Sequence, residues 1–141
     1  MLNEVILPFF ELVNRGKVRM VSHDVVTLDR GYLAVLLRPQ IEKIWFDEDY
    51  YRESNPDIHD AELRGEIPDL HVHYLNFGFF ENRLPCPVEV DGFFYARAYP
   101  DVAVALLENR TPSCQTHFEM SGFAEGRLPR DGWRFSDLLK D

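Results

Sequence analysis

Two stretches of the chain repeat one pattern of apolar and polar positions. When the sequence is shifted by 44 residues, positions 46–85 align with positions 90–129 without a gap, and 14 of the 40 pairs are identical. In both copies aromatic and aliphatic residues alternate with short groups of Asp, Gly and Pro, the residues that start and end helices. An ungapped internal repeat of this length is typical of stacked supersecondary units. We therefore predict two copies of one structural unit.

Each copy is expected to form three short helices. Pro56 and Pro100 should end the first helix and begin the second, since proline is well placed in a first turn. Gly65 and Asn109 should follow the end of the second helix. The expected N-caps are short polar residues in equivalent places: Asp47, Asp69, Asp91 and Ser113.

Two positions exchange Gly and Asn between the copies. Gly65 aligns with Asn109, and Asn82 aligns with Gly126. Because Gly and Asn best tolerate the left-handed conformation, we predict a positive φ at both sites. Backbone geometry is therefore preserved where side-chain identity is not, which is typical of a scaffold.

The motif G-F-x-E-x-R-L-P ends both copies and is predicted to be a helix stop followed by a tight turn. Gly78 and Gly122 would be the C′ residues, and Phe79 would contact Tyr74 across a Schellman cap. The Glu and Arg of the motif would form local ion pairs. Replacing Gly122 by Val would then cost on the order of 1 kcal/mol through a forced positive φ.

Recurring residues outside the caps are assigned structural roles. His73 lies on an apolar stripe and is interpreted as a hydrogen-bonded core residue. The positions expected to hold the repeat together are Asp57, His73, Gly78, Arg83, Asp101, His117, Gly122 and Arg127.

The flanking segments complete a mainly α-helical fold within one compact domain. Residues 1–45 should contain an amphipathic N-terminal helix, a short β-hairpin in residues 16–28, and a helix capped by Thr27 or Asp29 and ended by Pro39. Repeat 1 spans residues 46–89, and repeat 2 spans residues 90–129. Residues 130–141 begin a partial third repeat, because Asp131 to Phe135 echo Asp91 to Tyr95.

The net charge of −9 is concentrated in repeat 1, where residues 46–85 carry −7 and residues 90–129 carry −2. Phosphate backbones would be repelled, so nucleic acid is not an expected partner. The candidate partner face consists of Glu48, Asp49, Glu53, Asp60, Glu62 and Glu66, which would recruit a protein with a basic surface. Repeat 2 replaces these residues by Gly92, Phe93, Arg97, Val104, Leu106 and Arg110, which predicts either a buried contact or an exposed patch for self-association.

No catalytic, cofactor-binding or metal-binding constellation is predicted. The Asp47-Glu48-Asp49 run could suggest a metal site, but its equivalent is Asp91-Gly92-Phe93, so we interpret it as a helix start. His71 and His73 are two residues apart and do not share a helix face. Cys86 lies between two prolines, without a helix N-terminus to activate its thiol.

Two tryptophans flank the repeats. Trp45 and Trp133 are candidates for stacking on a sugar ring, although packing in the core is the more ordinary role of a large aromatic residue.

Cellular location is inferred from what the sequence contains. No stretch approaches the roughly 20 apolar residues of a membrane helix, and the N-terminus is a poor signal peptide. We therefore expect a cytoplasmic protein with reduced Cys86 and Cys114.

The pattern D-x3-YY-x4-PD-(I/V)-x2-A, followed by H(Y/F)-x3-GF-x-E-x-R-L-P, resembles tandem repeats that occur beside glycosyltransferase domains and in polysaccharide-linked surface proteins of bacteria. The resemblance covers residues 46–129, and Asn82 departs from the Gly usual in its E-G-R triplet. It implies a role in cell-envelope glycan biology and supplies no catalytic residues.

We expect a non-enzymatic binding or adaptor protein linked to bacterial surface polysaccharide synthesis or attachment. The alternatives are a glycan-binding module and an accessory fragment of a glycosyltransferase.

Overall fold

A computed structural model of the chain describes residues 8–140 and confirms a mainly α-helical fold with one small antiparallel sheet. The chain divides into two compact units, residues 1–42 and 43–141. In its described part, residues 8–42, the first unit holds the hairpin and two helices. The second unit holds both repeats and the C-terminal segment.

The first unit begins with helix α1, Phe9–Asn14, which leads into strands β1, Val18–Met20, and β2, Val26–Leu28. The strands pair antiparallel, with Arg19 opposite Thr27, so the predicted hairpin is confirmed. The predicted N-terminal helix is seen only from Phe9 onward, because residues 1–7 lie outside the described range.

Helix α2, Arg30–Ile41, follows the hairpin. Its N-cap is Asp29, whose carboxylate accepts a hydrogen bond from the Tyr32 amide at 2.9 Å. The prediction that Pro39 ends this helix is wrong, because Pro39 lies inside it. The last turn holds without a Pro39 N–H, since the Glu42 amide donates to the Arg38 carbonyl at 2.9 Å.

Three helical segments form each repeat, as predicted. Repeat 1 contains α3, Glu48–Ser54; α4, Pro56–Leu63; and α5, Leu70–His73. Repeat 2 contains α6, Gly92–Ala98; α7, Pro100–Leu107; and α8, Cys114–His117. All four predicted N-caps accept a hydrogen bond from the amide three residues on, which confirms that Asp47 begins a helix.

The positive φ predicted at the Gly/Asn sites is confirmed at all four residues: Gly65, Asn82, Asn109 and Gly126. Gly65 ends α4 in a Schellman motif, where its amide donates to the Glu62 carbonyl and the next amide donates to the Ala61 carbonyl. Asn109 ends α7 in the same way.

The helix stop predicted at Gly78 and Gly122 is wrong. A π-helical turn continues α5 through Tyr74–Gly78, and another continues α8 through Phe118–Gly122. Neither glycine has a positive φ. The Schellman motif comes four residues later, at Asn82 and Gly126, where the next amide donates back to the carbonyl of Gly78 or Gly122.

Each repeat is closed by a backbone hydrogen bond from its start to its end. The Asp47 amide donates to the Pro85 carbonyl at 2.9 Å, and the Asp91 amide donates to the Pro129 carbonyl at 3.0 Å. The core of repeat 2 also takes in residues from the end of repeat 1: Leu84 and Val88 pack with Tyr95, Val102, Phe118 and Trp133.

The C-terminal segment closes the second unit. Ile44 and Leu139 form an antiparallel bridge, and the Trp45 amide donates to the Leu138 carbonyl at 2.7 Å. The predicted echo of a repeat start at Asp131 does not form an α-helix. Gly132 has a φ of 70°, and only a short 3-10 turn, Phe135–Leu138, follows.

Candidate functional site

The recurring polar residues form one bonding pattern in both repeats. Arg83 holds Asp57 through two hydrogen bonds of 2.8 and 3.1 Å, and Arg127 holds Asp101 through two of 2.7 and 2.9 Å. Each guanidinium also bonds the Glu two residues before it. The arginine beside each Asp holds the pKa of that carboxyl below its usual range.

A tyrosine–histidine pair also recurs. The Tyr51 hydroxyl lies 3.0 Å from Nδ1 of His73, and the Tyr95 hydroxyl lies 3.0 Å from Nδ1 of His117. Burial raises the pKa of Tyr95 to about 12 and lowers the pKa of His73. The histidines are therefore hydrogen-bonded as predicted, but they are half-buried at the edge of the core.

The candidate partner face of repeat 1 is largely occupied by ion pairs within the chain. Arg52 bonds Glu48 at 2.7 Å, Asp49 at 2.8 Å and Glu62 at 2.8 Å. Glu62 also lies 3.3 Å from His59, and Arg64 bonds Glu66 at 2.7 Å. Four of the six candidate carboxylates therefore have a cationic partner inside the protein.

The electrostatics around Arg52 agree with this geometry. The hydrogen bond from Arg52 lowers the pKa of Glu62, and the carboxylates around Arg52 raise the pKa of its guanidinium. Arg64 lowers the pKa of Glu66 in the same way. Glu53 and Asp60 are the two candidate carboxylates without an ion pair to any residue in the 8–140 range.

Repeat 2 presents an apolar groove at the equivalent place. The four residues of the Arg52 cluster, Glu48, Asp49, Arg52 and Glu62, align with Gly92, Phe93, Ala96 and Leu106. These four replacements line one concave site of about 870 Å³, together with Val90, Arg97, Ser113, Cys114 and Gln115. We call this site the repeat 2 groove.

Exposed apolar surface marks the groove. The Phe93 side chain is 93% exposed, although α6 packs its opposite side through the fully buried Tyr95. Arg97 lies on the exposed side of α6 and makes no ion pair with the residues the structure describes. Exposed phenylalanine beside an unpaired guanidinium is a surface suited to binding.

Two further side chains shape the groove. The Cys114 thiol donates a hydrogen bond to the Gly92 carbonyl at 3.6 Å, and burial raises the pKa of the thiol. The Gln115 side chain bonds the Val88 carbonyl at 2.8 Å and accepts from the Val90 amide at 3.0 Å. This pair of bonds fixes the groove wall.

The two tryptophans lie in different surroundings. Trp133 is only 8% exposed and packs edge-on against Phe118, as the core-packing alternative expects, and its stacking on a sugar stays a prediction. Trp45 is 42% exposed and remains a stacking candidate.

No group of three His, Cys, Asp or Glu side chains within the described part of the chain could hold a metal ion. His71 stacks on Phe46 instead, with ring centroids 4.7 Å apart. Cys86 is fully buried, and burial raises its pKa to about 11.

The groove was missed from the sequence because its signal is a joint exchange. The loss of acidic residues marks Phe93 and Leu106 in the sequence, but it does not mark the exchange of Arg52 for Ala96. In repeat 1, Arg52 neutralises the three carboxylates that lie around it. The groove can therefore be recognised only when all four exchanged positions are compared together.

Comparisons with protein-family models, curated proteins and solved structures found no match to this chain. No helix among residues 8–140 has the length and apolar character needed to cross a membrane.

Proposed function

We propose that this protein is a non-enzymatic binding protein whose second repeat receives a segment of a partner protein in the repeat 2 groove. In the first repeat the equivalent face is closed by ion pairs, and this repeat has a structural role.

The difference between the equivalent faces of repeats 1 and 2 supports this proposal. Both repeats use the same caps and the same Asp–Arg and Tyr–His contacts. In repeat 1 the face is filled by Arg52 and its three carboxylates, whereas in repeat 2 it is an open apolar groove. The shared caps and contacts do not require this difference between the two faces. The difference therefore identifies a surface that is specific to repeat 2.

The chemistry of the groove supports an apolar occupant with an acidic neighbour. Phe93, Ala96 and Leu106 favour an apolar side chain, because burying them removes apolar surface from water. Arg97 at the rim favours a carboxylate next to that side chain. The proposed occupant is therefore an apolar segment of another protein with an adjacent Asp or Glu.

The biological setting is proposed from the resemblance of residues 46–129 to repeats found beside bacterial glycosyltransferase domains. It supports an adaptor that serves surface polysaccharide synthesis or attachment. Turnover of a nucleotide sugar by the purified chain would overturn the non-enzymatic proposal and favour an accessory fragment of a glycosyltransferase.

Site-specific photo-crosslinking tests the groove. Benzoylphenylalanine in place of Phe93 keeps an aromatic side chain at the exposed position, and the same residue in place of Asp49 is the matched control on repeat 1. Crosslinking in extracts of the native host should yield one identified partner from position 93 and none from position 49. The crosslinked segment, made as a peptide, should bind the purified protein and should contain an apolar residue beside an acidic one.

The result depends on the groove being open. Adding Gly92→Glu, Ala96→Arg and Leu106→Glu should abolish crosslinking from position 93, because these residues build the charged cluster that repeat 1 carries. Unchanged crosslinking would contradict the proposal. A crosslink to a second copy of this chain would show that the groove serves self-association and not a partner protein.

A basic partner protein at repeat 1 is the second candidate. Glu53 and Asp60 are exposed and form no ion pair among the described residues. Binding at this face should weaken above about 0.15 M salt, where screening acts within roughly 8 Å. Glu53→Lys with Asp60→Lys should abolish it, and unchanged binding would exclude this face.

A further inference from the structure

The first unit exposes apolar side chains that its own residues do not cover. Among residues 8–42, only Val18 and Ile41 are buried, whereas Phe10, Val21 and Val25 are more than half exposed. Units of roughly 40 residues rarely bury enough surface to be stable without a disulfide, a metal or oligomerisation. Residues 1–42 contain no cysteine, so a disulfide within this unit is excluded. The exposed apolar surface favours association with another surface.

Strand β2 of this unit has an open edge. The Asp29 amide donates to the Lys17 carbonyl at 2.8 Å, so these two residues form a hydrogen-bonded pair. Because hydrogen-bonded and non-hydrogen-bonded pairs alternate in an antiparallel ladder, the N–H and C=O groups of Val26 and Leu28 point away from β1. These groups have no hydrogen-bond partner among residues 8–140, and all of β2 is exposed. Such an edge is a template for another strand.

The sequence of β2 suits pairing with a second copy of itself. In an antiparallel pairing about a two-fold axis at Thr27, the outward groups of Val26 meet those of Leu28 in the second copy, and each N–H donates to the opposite C=O. Thr27 then faces its own equivalent, and a Thr–Thr pair is favourable on a sheet. Asp24, before the strand, comes towards Arg30 of the second copy, after the strand. Opposite charges therefore meet at both ends of the pairing.

The edge of β1 lacks these properties. A two-fold pairing through β1 would place Arg19 opposite its own equivalent, and like charges directly opposite one another destabilise a sheet. Helix α1 also contacts β1, where the Lys17 amide donates to the Leu12 carbonyl at 2.9 Å and Val18 is buried. Strand β2 contains no Lys, Arg or Pro, the residues that usually protect an edge.

We propose that strand β2 is a dimerisation edge, at which two copies of this chain pair antiparallel about a two-fold axis at Thr27 and join their hairpins into one sheet. The proposal is independent of the repeat 2 groove. Val18 lies opposite Leu28 and Met20 lies opposite Val26, so these four apolar side chains share one face of the hairpin. The dimer extends this face across both copies, and a larger sheet with an apolar face is more stable than a single hairpin.

Sedimentation equilibrium of the full chain at concentrations up to millimolar measures the association. The unmodified chain should form a dimer. Val26→Pro removes an N–H that faces the second copy and should raise the dimer dissociation constant at least about tenfold, because each copy loses one hydrogen bond. Met20→Pro is the matched control, since Met20 lies directly opposite Val26, is similarly exposed and has its N–H at the edge of β1. It should leave the dissociation constant unchanged.

Oxidative crosslinking tests the register. Thr27→Cys places two thiols opposite each other across the axis, within reach of a disulfide. Arg19→Cys is the control, because Arg19 lies directly opposite Thr27 on the same face of the hairpin, but its two copies lie on the outer strands of the dimer sheet. On a non-reducing denaturing gel, Thr27→Cys should run as a dimer and Arg19→Cys as a monomer. Cys86 and Cys114 are present in both variants and affect both equally.

Each of three results would overturn the proposal. The first is an unmodified chain that stays monomeric at every concentration. The second is an equal effect of Val26→Pro and Met20→Pro on the dissociation constant. The third is equal crosslinking of Thr27→Cys and Arg19→Cys, which would show that the two copies associate through another surface.

Discussion

The Tyr95 hydroxyl occupies the space that a Cβ on Gly122 would need. The same hydroxyl lies 3.0 Å from Nδ1 of His117, so the tyrosine is held in place from its other side. Tyr51 and Gly78 repeat this relationship in the first copy. Glycine therefore recurs at these positions because the backbone must pass close to a hydroxyl, and not because φ is positive.

A double-mutant cycle tests this contact. Gly122→Ala should destabilise the protein by about 2 kcal/mol through overpacking, and Tyr95→Phe by about 1 kcal/mol through the lost hydrogen bond. The double variant should cost less than their sum, because the remaining contacts of the added Cβ are 3.3 Å to the Tyr95 ring and 3.4 Å to Phe118. Urea unfolding measures each free energy. Additive costs would contradict the account, because residues in contact should couple.

Acid should weaken the Asp101–Arg127 pair. Arg127 lowers the pKa of Asp101 from 3.8, so the stabilisation is present above that pH and is lost as the pH falls through the lower folded value. The difference in melting temperature between the protein and Asp101→Asn should therefore shrink below pH 3.8. Asp60→Asn, which breaks no ion pair among the described residues, is the control. A difference that grows as the pH falls would contradict this assignment.

Phe135 should tie the two repeats together. Its ring centroid lies 6.3 Å from that of Phe79 and 5.9 Å from that of Phe123, which are equivalent residues of the two copies. Phe135→Ala should lower the free energy of unfolding by about 2 kcal/mol, below the range for a fully buried phenylalanine because Phe135 is half-buried. Phe93→Ala, at an exposed site, should change it by no more than about 0.5 kcal/mol. Equal effects in chemical denaturation would count against a bridging role.

Removal of Arg52 should leave three carboxylates facing one another. Arg52→Ala should lower the melting temperature, and added salt should restore part of the loss by screening the repulsion. Arg64→Ala, which releases only Glu66, should have a smaller effect and a weaker response to salt. Calorimetry at low and high salt measures both. The same salt response in both variants would show that Arg52 does not organise this face.

Much of the repeat could be predicted because its signals are local. N-caps, the Pro56 helix start and the positive φ of Asn82 and Gly126 depend on residues that are close in the sequence. The turn at Gly78 could not be predicted in this way, since the hydroxyl that requires glycine belongs to Tyr51, 27 residues earlier. A glycine followed by phenylalanine matched a Schellman cap, although the Gly/Asn exchange four residues later marked the true helix stop.

The site was harder to predict than the fold. The charge of repeat 1 suggested a surface for a partner, but charge counts do not show which carboxylates share one guanidinium. Arg52 reaches Glu62 across two helices, and that contact depends on how α3 packs against α4. The groove at Phe93 is recognised only from the structure of repeat 2, where the equivalent helices α6 and α7 have Ala96 in place of Arg52.

The same face of the repeat is closed by the Arg52 cluster in repeat 1 and open in repeat 2. Binding of anilinonaphthalene sulfonate tests it, because this fluorescent probe combines an apolar ring system with an acidic group. A variant closes the groove with the residues of repeat 1: Gly92→Glu, Phe93→Asp, Ala96→Arg and Leu106→Glu. A reciprocal variant opens repeat 1 with Glu48→Gly, Asp49→Phe, Arg52→Ala and Glu62→Leu.

The quantity to measure is the number of probe molecules bound per chain in the three proteins. Each protein is held equally far below its own melting temperature. We expect the closed variant to lose one bound probe relative to the unmodified chain and the reciprocal variant to gain one. Equal binding by all three proteins would contradict it.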